Sequence, residues 1–333
     1  MKPNLLSIIV IGRNEGDKLR KCFDSIFLAI SQNQLDGAEV LYVDSSSTDQ
    51  SVELARSYQS VKVFRISSGF NAAVARNIGA LESKGDFLFF VDGDMAIVSD
   101  FLALVIDKSD ELKYDFVTGH VSYQMIDKNG EIVESSQFAR NQSTNDRYEV
   151  TTGGVFLIRR QLWQSVDGMK SKYRRSQDLD LALRLARQGT KLLRKKETIA
   201  HHCSVLTTHV FEYRDSKRMW KMLFEGSFLY QTSVLYRDHV LNPHIFLLVL
   251  RNDYSLLVLL ISLTLLMFSC PHSYFFVACY LLLITARGVF TGQRNILFSF
   301  ERTVFCLFKD VSSILGLMFF HPRPPEFFYE RVV

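Results

Sequence analysis

Two aspartates separated by one glycine close one of the most apolar runs in the first half of the chain. The run is FLFFVDGDM, Phe87 to Met95, and it places Asp92 and Asp94 where a buried strand should end. Residues two apart on an extended chain point the same way, so both carboxylates can approach one divalent cation. Carboxylate oxygens suit Mg²⁺ or Mn²⁺, which bridge to the oxygens of a diphosphate. The alternative is that Asp-Gly is only the turn that ends the strand.

A third aspartate, Asp178, lies near the start of a predicted helix that runs from about Gln177 to Gln188 and stops at Gly189. Ser176 is expected to cap this helix, which puts Asp178 in the first turn. The residues expected on its buried side are Leu179, Ala182, Leu183 and Ala186. A carboxylate in this place can take a proton from a hydroxyl, which is a poor nucleophile at neutral pH. The alternative is an acid favoured only by the helix dipole.

The elements that must position these acids follow a regular pattern in the first hundred residues. Four β-rich runs alternate with three stretches of helical spacing: LLSIIVI, GDKLRKCFDSIFLAI, AEVLYV, QSVELARSY, VKVFRIS, NAAVARNIGALES and DFLFFVD. Such alternation predicts βαβ units, an α/β fold and a mostly parallel sheet.

Polar residues follow the ends of three of these strands, where ligands bind in such sheets. They are Arg13, Asn14 and Glu15; Asp44 to Asp49; and Asp92 with Asp94. No G-x-G-x-x-G follows the first strand and no G-x-x-x-x-G-K-[ST] occurs, so a dinucleotide site and a P-loop are unsupported.

Length and cysteine content narrow the class of protein. The 333 residues suffice for one large α/β domain and an appendage. Five scattered cysteines form no C-x-x-C pair, which argues against disulfides or structural zinc and suits a reducing compartment. The apolar run from Leu5 to Ile11 lacks a small-residue cleavage site, so we interpret it as a strand and not as a signal peptide.

Five motifs in fixed order resemble the inverting glycosyltransferases of family 2, which have the GT-A fold. The motifs lie within about residues 5 to 205: SIIVIGRNE, VLYVDSSSTDQS, NAAVARNIGALESKGDFLFFVDGDM, TTGGVFLIRR and SQDLDLALRLARQG. The resemblance implies a nucleotide-sugar donor, with a UDP-sugar favoured, and Mn²⁺ or Mg²⁺ as cofactor.

The resemblance also implies roles for individual residues. Nucleotide binding falls to Gly12, Arg13, Asn14, Glu15, Asp44, Arg76 and Asp92; metal binding to Asp94, Asp92 and His202; acceptor binding to Gly153, Gly154 and Gln177; and catalysis to Asp178. Asp44 would bond the base, Asp94 would be the principal metal ligand, and Asp178 would be the catalytic base. For His202 the alternative is a neutral surface histidine. For the two glycines it is a simple turn.

Departures from the family pattern bear on the base pocket. Gly12 and Arg13 replace a Thr-Tyr pair, so an aromatic contact is lost, and an Arg plane could stack there instead. This change weakens the case for uridine. Ser45 replaces the second Asp of its motif, and Gln177 replaces the Glu usually found beside Asp178.

The second half of the chain has a different composition. Fourteen Lys or Arg residues lie between Lys170 and Lys221, and they suit anionic lipid headgroups, a donor diphosphate or a lipid-diphosphate acceptor, or else form solvated helix faces. No nucleic-acid module accompanies them, so no nucleic acid is expected. Apolar runs follow at Leu256–Cys270, Tyr274–Ala286 and Thr303–Phe320.

The first two apolar runs are flanked by arginines but joined by CPHS, which has no Lys or Arg. The positive-inside rule then favours a hairpin with both ends in the cytoplasm. Buried helices of a soluble protein are the alternative. We expect a catalytic domain over 1–205, amphipathic connecting helices over 206–242, and an apolar membrane region over 243–333. The expected location is a bacterial inner membrane, with the catalytic domain in the cytoplasm.

The expected activity is transfer of a sugar to a membrane-borne, lipid-linked or glycan acceptor in surface polysaccharide synthesis. The enzyme is expected to be non-processive, because no Q-x-x-R-W follows Asp178. Two other classes stay open at this point. A nucleotidyltransferase would share the nucleotide site and the acid pair, and a non-catalytic scaffold would tolerate loss of Asp178 and Asp94.

Overall fold

The computed structural model describes residues 6–106, 113–126, 132–137, 144–205, 216–291 and 296–332. They form two compact units, one of Met1–Phe211 with Pro324–Val333 and one of Glu212–Arg323. The region expected over 243–333 is therefore divided, since its last ten residues belong to the first unit. Residues 206–215, next to the first expected boundary, lie outside the described residues.

The first unit contains a sheet with helices on both faces. Its strands are β1 (Leu6–Gly12), β2 (Glu39–Asp44), β3 (Val61–Ser68), β4 (Phe87–Asp92), β5 (Met95–Ile97), β6 (Phe116–Ile126), β7 (Ile132–Gln137), β8 (Arg147–Tyr148), β9 (Phe156–Arg159), β10 (Leu193–Val205) and β11 (Phe328–Arg331). Its helices are α1 (Asp17–Gln32), α2 (Ser51–Arg56), α3 (Ala72–Glu82), α4 (Ser99–Val105), α5 (Arg160–Ser165) and α6 (Gln177–Arg187). The α/β alternation predicted for the first hundred residues is confirmed.

The strand order is β11-β3-β2-β1-β4-β9-β6-β10-β5, with β7 beside β6 and β8 beside β10. Strands β1 to β4 run parallel. In contrast, β9 is antiparallel to β4 and β6, and β11 is antiparallel to β3. The sheet is therefore mixed: β1 to β4 are parallel as expected, β6 and β10 form a second parallel pair, and antiparallel strands lie between and beside them. The carboxyl ends of β1 to β4 meet at one edge.

Alternate side chains of the central strand β1 enter two separate cores. Ile8 and Val10 pack with Phe23 of α1, whereas Ile9 and Ile11 pack with α3 on the other face. Burying each such side chain stabilises the fold by about 1.5–3 kcal/mol. Because both faces are covered, the four residues from Ile8 to Ile11 form an unbroken apolar run.

The second unit consists of helices. They are α7 (Ser216–Phe224), α8 (Ser227–Leu229), a π-helical segment (Tyr230–Val234), α9 (Leu235–Asp238), α10 (Pro243–Asn252), α11 (Tyr254–Met267), α12 (Ser273–Thr291) and α13 (Ile296–Phe319). Among the described residues, one stretch, Ser273–Phe290, is long and apolar enough to cross a membrane. Helices α10 and α11 pass the same test only if counted together, and they are bent by 98°. Core helices of soluble proteins also pass this test.

This second unit contains buried carboxylates as well as exposed large apolar side chains. Asp310 and Asp253 are only 1% and 3% exposed, and Asp253 binds both Lys309 and the Tyr236 hydroxyl. In contrast, Phe290 and Ile296 are 87% and 84% exposed. Soluble proteins show the opposite distribution, and exposed apolar patches of this kind mark interaction surfaces.

Candidate functional site

A cavity of about 470 Å³ opens at the carboxyl ends of the first strands, where the sequence pattern predicted a ligand site. Its wall contains ten of the predicted site residues: Gly12, Arg13, Glu15, Arg76, Asp92, Asp94, Gly153, Gly154, Gln177 and Asp178. Three others, Asn14, Asp44 and His202, lie outside the lining. The wall also contains Ile11, Ser45, Asn71, Ala72 and Ser176, to which the sequence analysis gave no binding role.

The two aspartates of VDGD face different partners. Asp92 ends β4 and accepts a hydrogen bond of 2.6 Å from Nη2 of Arg76. Asp94 lies in the turn after it, 3.0 Å from Nε2 of His202. The extended geometry assumed for this pair is wrong, because Gly93 and Asp94 form a turn and the alternation of an extended strand stops at Asp92.

The charges of these acids are set by burial and by their neighbours. Burial raises the pKa of Asp92, and although Arg76 opposes this, the pKa stays above its usual value. Burial also acts to raise the pKa of Asp94, but the hydrogen bond and charge of His202 bring it below its usual value. Glu15 has a raised pKa because it is buried and lies near the Asp94 charge.

Arg76 connects three segments of the cavity wall. It lies on α3, whose N-terminus is capped by Asn71 through a hydrogen bond of 2.9 Å from Val74 N. The side chain is 5% exposed, and its Nη2 also donates to Gly154 O at 3.2 Å. Its Nε is buried with no hydrogen-bond partner among the residues that the structure describes.

The two glycines before β9 differ in what surrounds them. An added Cβ at Gly154 would lie 2.3 Å from Oδ2 of Asp92, so the small residue here makes room for that carboxylate. An added Cβ at Gly153 would meet nothing within 4 Å, but its φ of +69° favours glycine. Of the two glycines, only Gly153 therefore leaves open space at the backbone.

Asp178 lies in the first turn of α6, as predicted, and lines the cavity. The predicted cap is wrong: Ser176 has a φ of 61°, and its side chain makes no cap hydrogen bond. The buried side is also broader than predicted, since Leu181 and Leu185 belong to it, while Leu179 is only half-buried.

The residues beside Asp178 hold the helix in place. Asp180 is fully buried and accepts bonds of 2.9 and 2.7 Å from Arg184. Gln177 is 7% exposed, and its Nε2 donates to Tyr173 O at 2.6 Å. Asp178, which lines the cavity, is thus two residues from Asp180, whose buried carboxylate stabilises the helix through Arg184.

The turn after β2 places Ser45 on the cavity wall and buries Asp44 behind it. The Asp44 carboxylate accepts from Ser47 N at 2.8 Å and from the Tyr42 hydroxyl at 3.1 Å, and it has no exposed surface. Asn14 joins this turn to the one after β1, since its Oδ1 accepts from Thr48 N at 2.8 Å. In this structure Asp44 and Asn14 stabilise the turn by hydrogen bonds and lie outside the cavity lining, whereas Ser45 lines the cavity.

Arg13 has an aromatic partner that sequence reasoning missed. Its guanidinium lies 4.3 Å from the ring centroid of Phe70, within the range of a cation–π contact. Phe70 directly precedes the cap of α3, but it shares no motif with Arg13. Only the pairing of β2 with both β1 and β3 brings the two loops together.

His202 reaches Asp94 through strand pairing, because β10 runs antiparallel to β5 with His202 opposite Met95. The neighbouring His201 points elsewhere, with its Nδ1 2.5 Å from Ser122 Oγ. Asp94 and His202 offer one carboxylate and one imidazole to a cation. No group of three or more His, Cys, Asp or Glu side chains with suitable placement occurs within the described part of the chain.

Comparison with known proteins agrees with this architecture. Residues 7–166 match the family model of Glycosyl transferase family 2. The glycosyltransferase GlyG of Streptococcus pneumoniae serotype 4 is 28% identical over 120 residues, which are 35% of this chain and 38% of that protein. An uncharacterized glycosyltransferase of Haemophilus influenzae is 26% identical over 190 residues, which are 55% of this chain and 63% of that protein. Each match spans less than two thirds of the relative's length.

A solved structure shares the fold. The crystal structure of GalNAc-T7 with UDP, GalNAc and Mn²⁺ aligns with a TM-score of 0.50 at 16% identity, covering 72% of this chain and 55% of that one. The predicted family resemblance and GT-A fold are thus confirmed, and the relatives are glycosyltransferases, in line with the predicted enzyme class. With five family motifs in order and a cavity at the expected sheet edge, the chain matches glycosyltransferase family 2 over residues 7–166.

Proposed function

We propose that this enzyme transfers a sugar, with inversion, from a nucleoside diphosphate donor to a membrane-borne, lipid-linked acceptor in bacterial surface polysaccharide synthesis. One observation carries the proposal: a single cavity is lined by a buried arginine (Arg76), a carboxylate next to an imidazole (Asp94), and an acid (Asp178) whose carboxylate has no hydrogen bond or ion pair to the residues that the structure describes. These groups suit, in turn, a nucleotide, a cation with a diphosphate, and a reacting hydroxyl.

The donor set at Asp94 and His202 fits a divalent cation. A carboxylate suits both Mn²⁺ and Mg²⁺, and the imidazole favours Mn²⁺. When bound, the cation would neutralise the charge that develops on the departing diphosphate. Asp92 forms an ion pair with Arg76, so in this proposal it contributes to nucleotide binding.

The nucleotide is proposed to lie between Arg76 and the loops after β1, β2 and β3. The Arg13–Phe70 pair offers a flat surface for the base in place of the aromatic residue expected from the family. Ser45 offers a hydroxyl on the same wall. We propose a UDP-sugar as the donor because the family resemblance favours it.

Asp178 is proposed as the general base. Its carboxylate takes the proton of the acceptor hydroxyl as that oxygen bonds to the anomeric carbon. The bond from this carbon to the diphosphate oxygen breaks at the same time, and the nucleoside diphosphate leaves with the bonding electrons. Attack from the face opposite the leaving group inverts the anomeric centre. The open space at Gly153 leaves room for the acceptor beside Asp178.

The membrane part of the proposal rests on the second unit. Its buried ionic groups and exposed Phe, Leu and Ile side chains are the distribution expected in lipid. The arginines at the outer ends of the apolar runs Leu256–Cys270 and Tyr274–Ala286 suit the cytoplasmic side. The basic residues between Lys170 and Lys221 suit a lipid-diphosphate acceptor or anionic headgroups.

The test uses the purified full chain in detergent with a panel of UDP-, GDP- and dTDP-sugars, with Mn²⁺, Mg²⁺ or a chelator. Asp178→Asn is compared with Asp36→Asn, a matched control at an exposed aspartate outside the cavity. The expected result is metal-dependent release of nucleoside diphosphate from one donor, lost only in Asp178→Asn. Release of inorganic diphosphate from a nucleoside triphosphate incubated with a sugar 1-phosphate, without sugar transfer from any of the donors, would indicate a nucleotidyltransferase. Normal glycan made by cells carrying Asp178→Asn or Asp94→Asn would indicate a scaffold.

A further inference from the structure

The last strand of the chain lies beside the cavity. Strand β11 pairs antiparallel with β3, with Phe328 opposite Ser68 and Arg331 opposite Phe64. Since the directions are opposite, the start of β11 lies at the carboxyl end of β3, which is the cavity edge of the sheet. Nothing in the sequence motifs assigned a role to this segment.

The segment that leads into β11 packs directly on the loop that follows β3. A Cβ added to Gly69 would lie 2.1 Å from the backbone oxygen of Glu326, and Gly69 has a φ of +67°. Ser67 Oγ donates to Phe328 O at 3.2 Å. Gly69 is followed by Phe70, which contacts Arg13, and then by Asn71, which lines the cavity.

A second set of contacts joins β11 to the helix that carries Arg76. The hydroxyl of Tyr329 donates to Glu82 Oε1 at 2.7 Å, at the end of α3. The ring of Tyr329 also lies edge-on to Phe64 of β3, with 6.4 Å between centroids. One residue of β11 therefore links β3 and α3, the two elements that flank the Gly69–Asn71 loop.

The position of β3 in turn fixes the turn that carries Ser45. Ser46 Oγ donates to Ile66 O at 2.5 Å, and Arg65 Nη2 donates to Ser47 O at 3.3 Å. A shift at the end of β3 would therefore move Ser45 as well as Phe70. Both segments belong to the wall that the proposed function gives to the nucleotide base.

We propose that β11 is a positioning element for the nucleotide donor, which holds the base wall formed by Arg13, Phe70, Asn71 and Ser45 in its binding shape. This inference rests on the proposed function, because it needs a nucleotide at this wall. Without β11, β3 becomes an exposed sheet edge and the Gly69–Asn71 loop loses the backbone packed against it. The donor must then order the loop when it binds. The affinity for the donor should therefore fall by about tenfold, the cost of ordering one or two side chains on binding.

A strand with only a structural role would give a different result. It would lower the melting temperature and the fraction of active enzyme, and it would leave the KM of the remaining enzyme unchanged. A positioning role predicts a higher donor KM with kcat within about twofold, because Asp178 and Asp94 lie outside the contacts of β11.

The test compares wild type with a chain ending at Arg323, with Tyr329→Phe, which loses only the bond to Glu82, and with Gly69→Ala. Glu330→Gln is the control, at an exposed residue of β11. Donor KM, kcat and the Kd of UDP are measured, together with hydrogen exchange over residues 64–71.

The expected result is a KM and a Kd raised about tenfold in the shortened chain, raised less in Tyr329→Phe, and unchanged in Glu330→Gln, with faster exchange at 66–71. If the shortened chain does not fold, the two point variants decide by the same criteria. Unchanged KM and Kd, or a loss confined to kcat, would overturn the inference. Wild type that binds no UDP or other nucleoside diphosphate would instead overturn the proposed function, and the inference with it.

Discussion

Replacing Gly154 with alanine should disrupt the cavity through a single steric contact. The new Cβ would lie 2.3 Å from Asp92 Oδ2, so the carboxylate must turn away and give up its 2.6 Å bond to Arg76. Breaking a buried ion pair on one side costs about 3–5 kcal/mol. Water can reach the Asp92 side chain, which is 31% exposed, and it recovers part of this cost. We therefore expect a loss of about 2–3 kcal/mol in the free energy of unfolding.

Gly153→Ala is the matched control. Its Cβ meets nothing within 4 Å, so only the positive φ is penalised, at about 1 kcal/mol. Urea unfolding of both variants, followed by tryptophan fluorescence, measures the difference. Sugar transfer should fall far more in Gly154→Ala, because the displaced carboxylate and the freed guanidinium both line the cavity.

A double-mutant cycle with Asp92→Ala tests whether the clash with the Asp92 carboxylate causes the loss of stability in Gly154→Ala. In that background the clash partner is absent, so adding Gly154→Ala should cost well under 1 kcal/mol. Additive losses in the double variant would refute the reasoning, as would equal losses in Gly153→Ala and Gly154→Ala. Either result would mean that the Asp92 carboxylate does not fill the space beside Gly154.

Three further outcomes are expected. Asp178→Asn should lower kcat by about 10²–10⁴ without lowering the melting temperature, and a lower melting temperature would argue for a structural role. Burial opposes ionisation of Glu39, but bonds from Lys62 and neighbouring groups leave its pKa below the usual 4.5. The stability that Glu39 adds over Glu39→Gln should therefore be complete at neutral pH and decline as pH falls below about 4.5 in urea titrations; a difference that grows on acidification would contradict this sign. His202→Ala should raise the Mn²⁺ concentration for half-maximal transfer by at least about 10- to 100-fold, the cost of losing even an outer partner of a metal site, and an unchanged requirement would remove His202 from the metal shell.

The parts of the fold that could be predicted from sequence are those set by local patterns. The apolar runs of β1 to β4 and the helical patterns between them can each be recognised within a short stretch of sequence. A parallel sheet then brings the carboxyl ends of these strands together, whatever the conformation of the loops. Asp92 and Arg76 reach the cavity for this reason. Their roles in catalysis and binding stay predictions.

The parts that could not be predicted depend on loop geometry and on distant pairing. The contact between Arg13 and Phe70 joins loops after two strands that are not neighbours in the sheet. The polarity of Asp44 indicated a ligand, but its carboxylate bonds within its own turn. Ser176 has a residue type that caps helices, yet its backbone adopts a left-handed conformation that leaves the hydroxyl without that bond. Residue type alone does not reveal a backbone angle of this kind.

The pairing of β11 with β3 also constrains the order in which the chain can fold. Residues 68 and 328 are opposite one another in the sheet but are separated by the whole helical unit. During synthesis β3 remains an open edge until every helix has emerged, a long interval for a strand that can pair with other chains. Such distant contacts form late, since the loop between them must close first. A ribosomal product that ends anywhere within α7 to α13 would contain all five family motifs but would lack β11, the strand that pairs with β3.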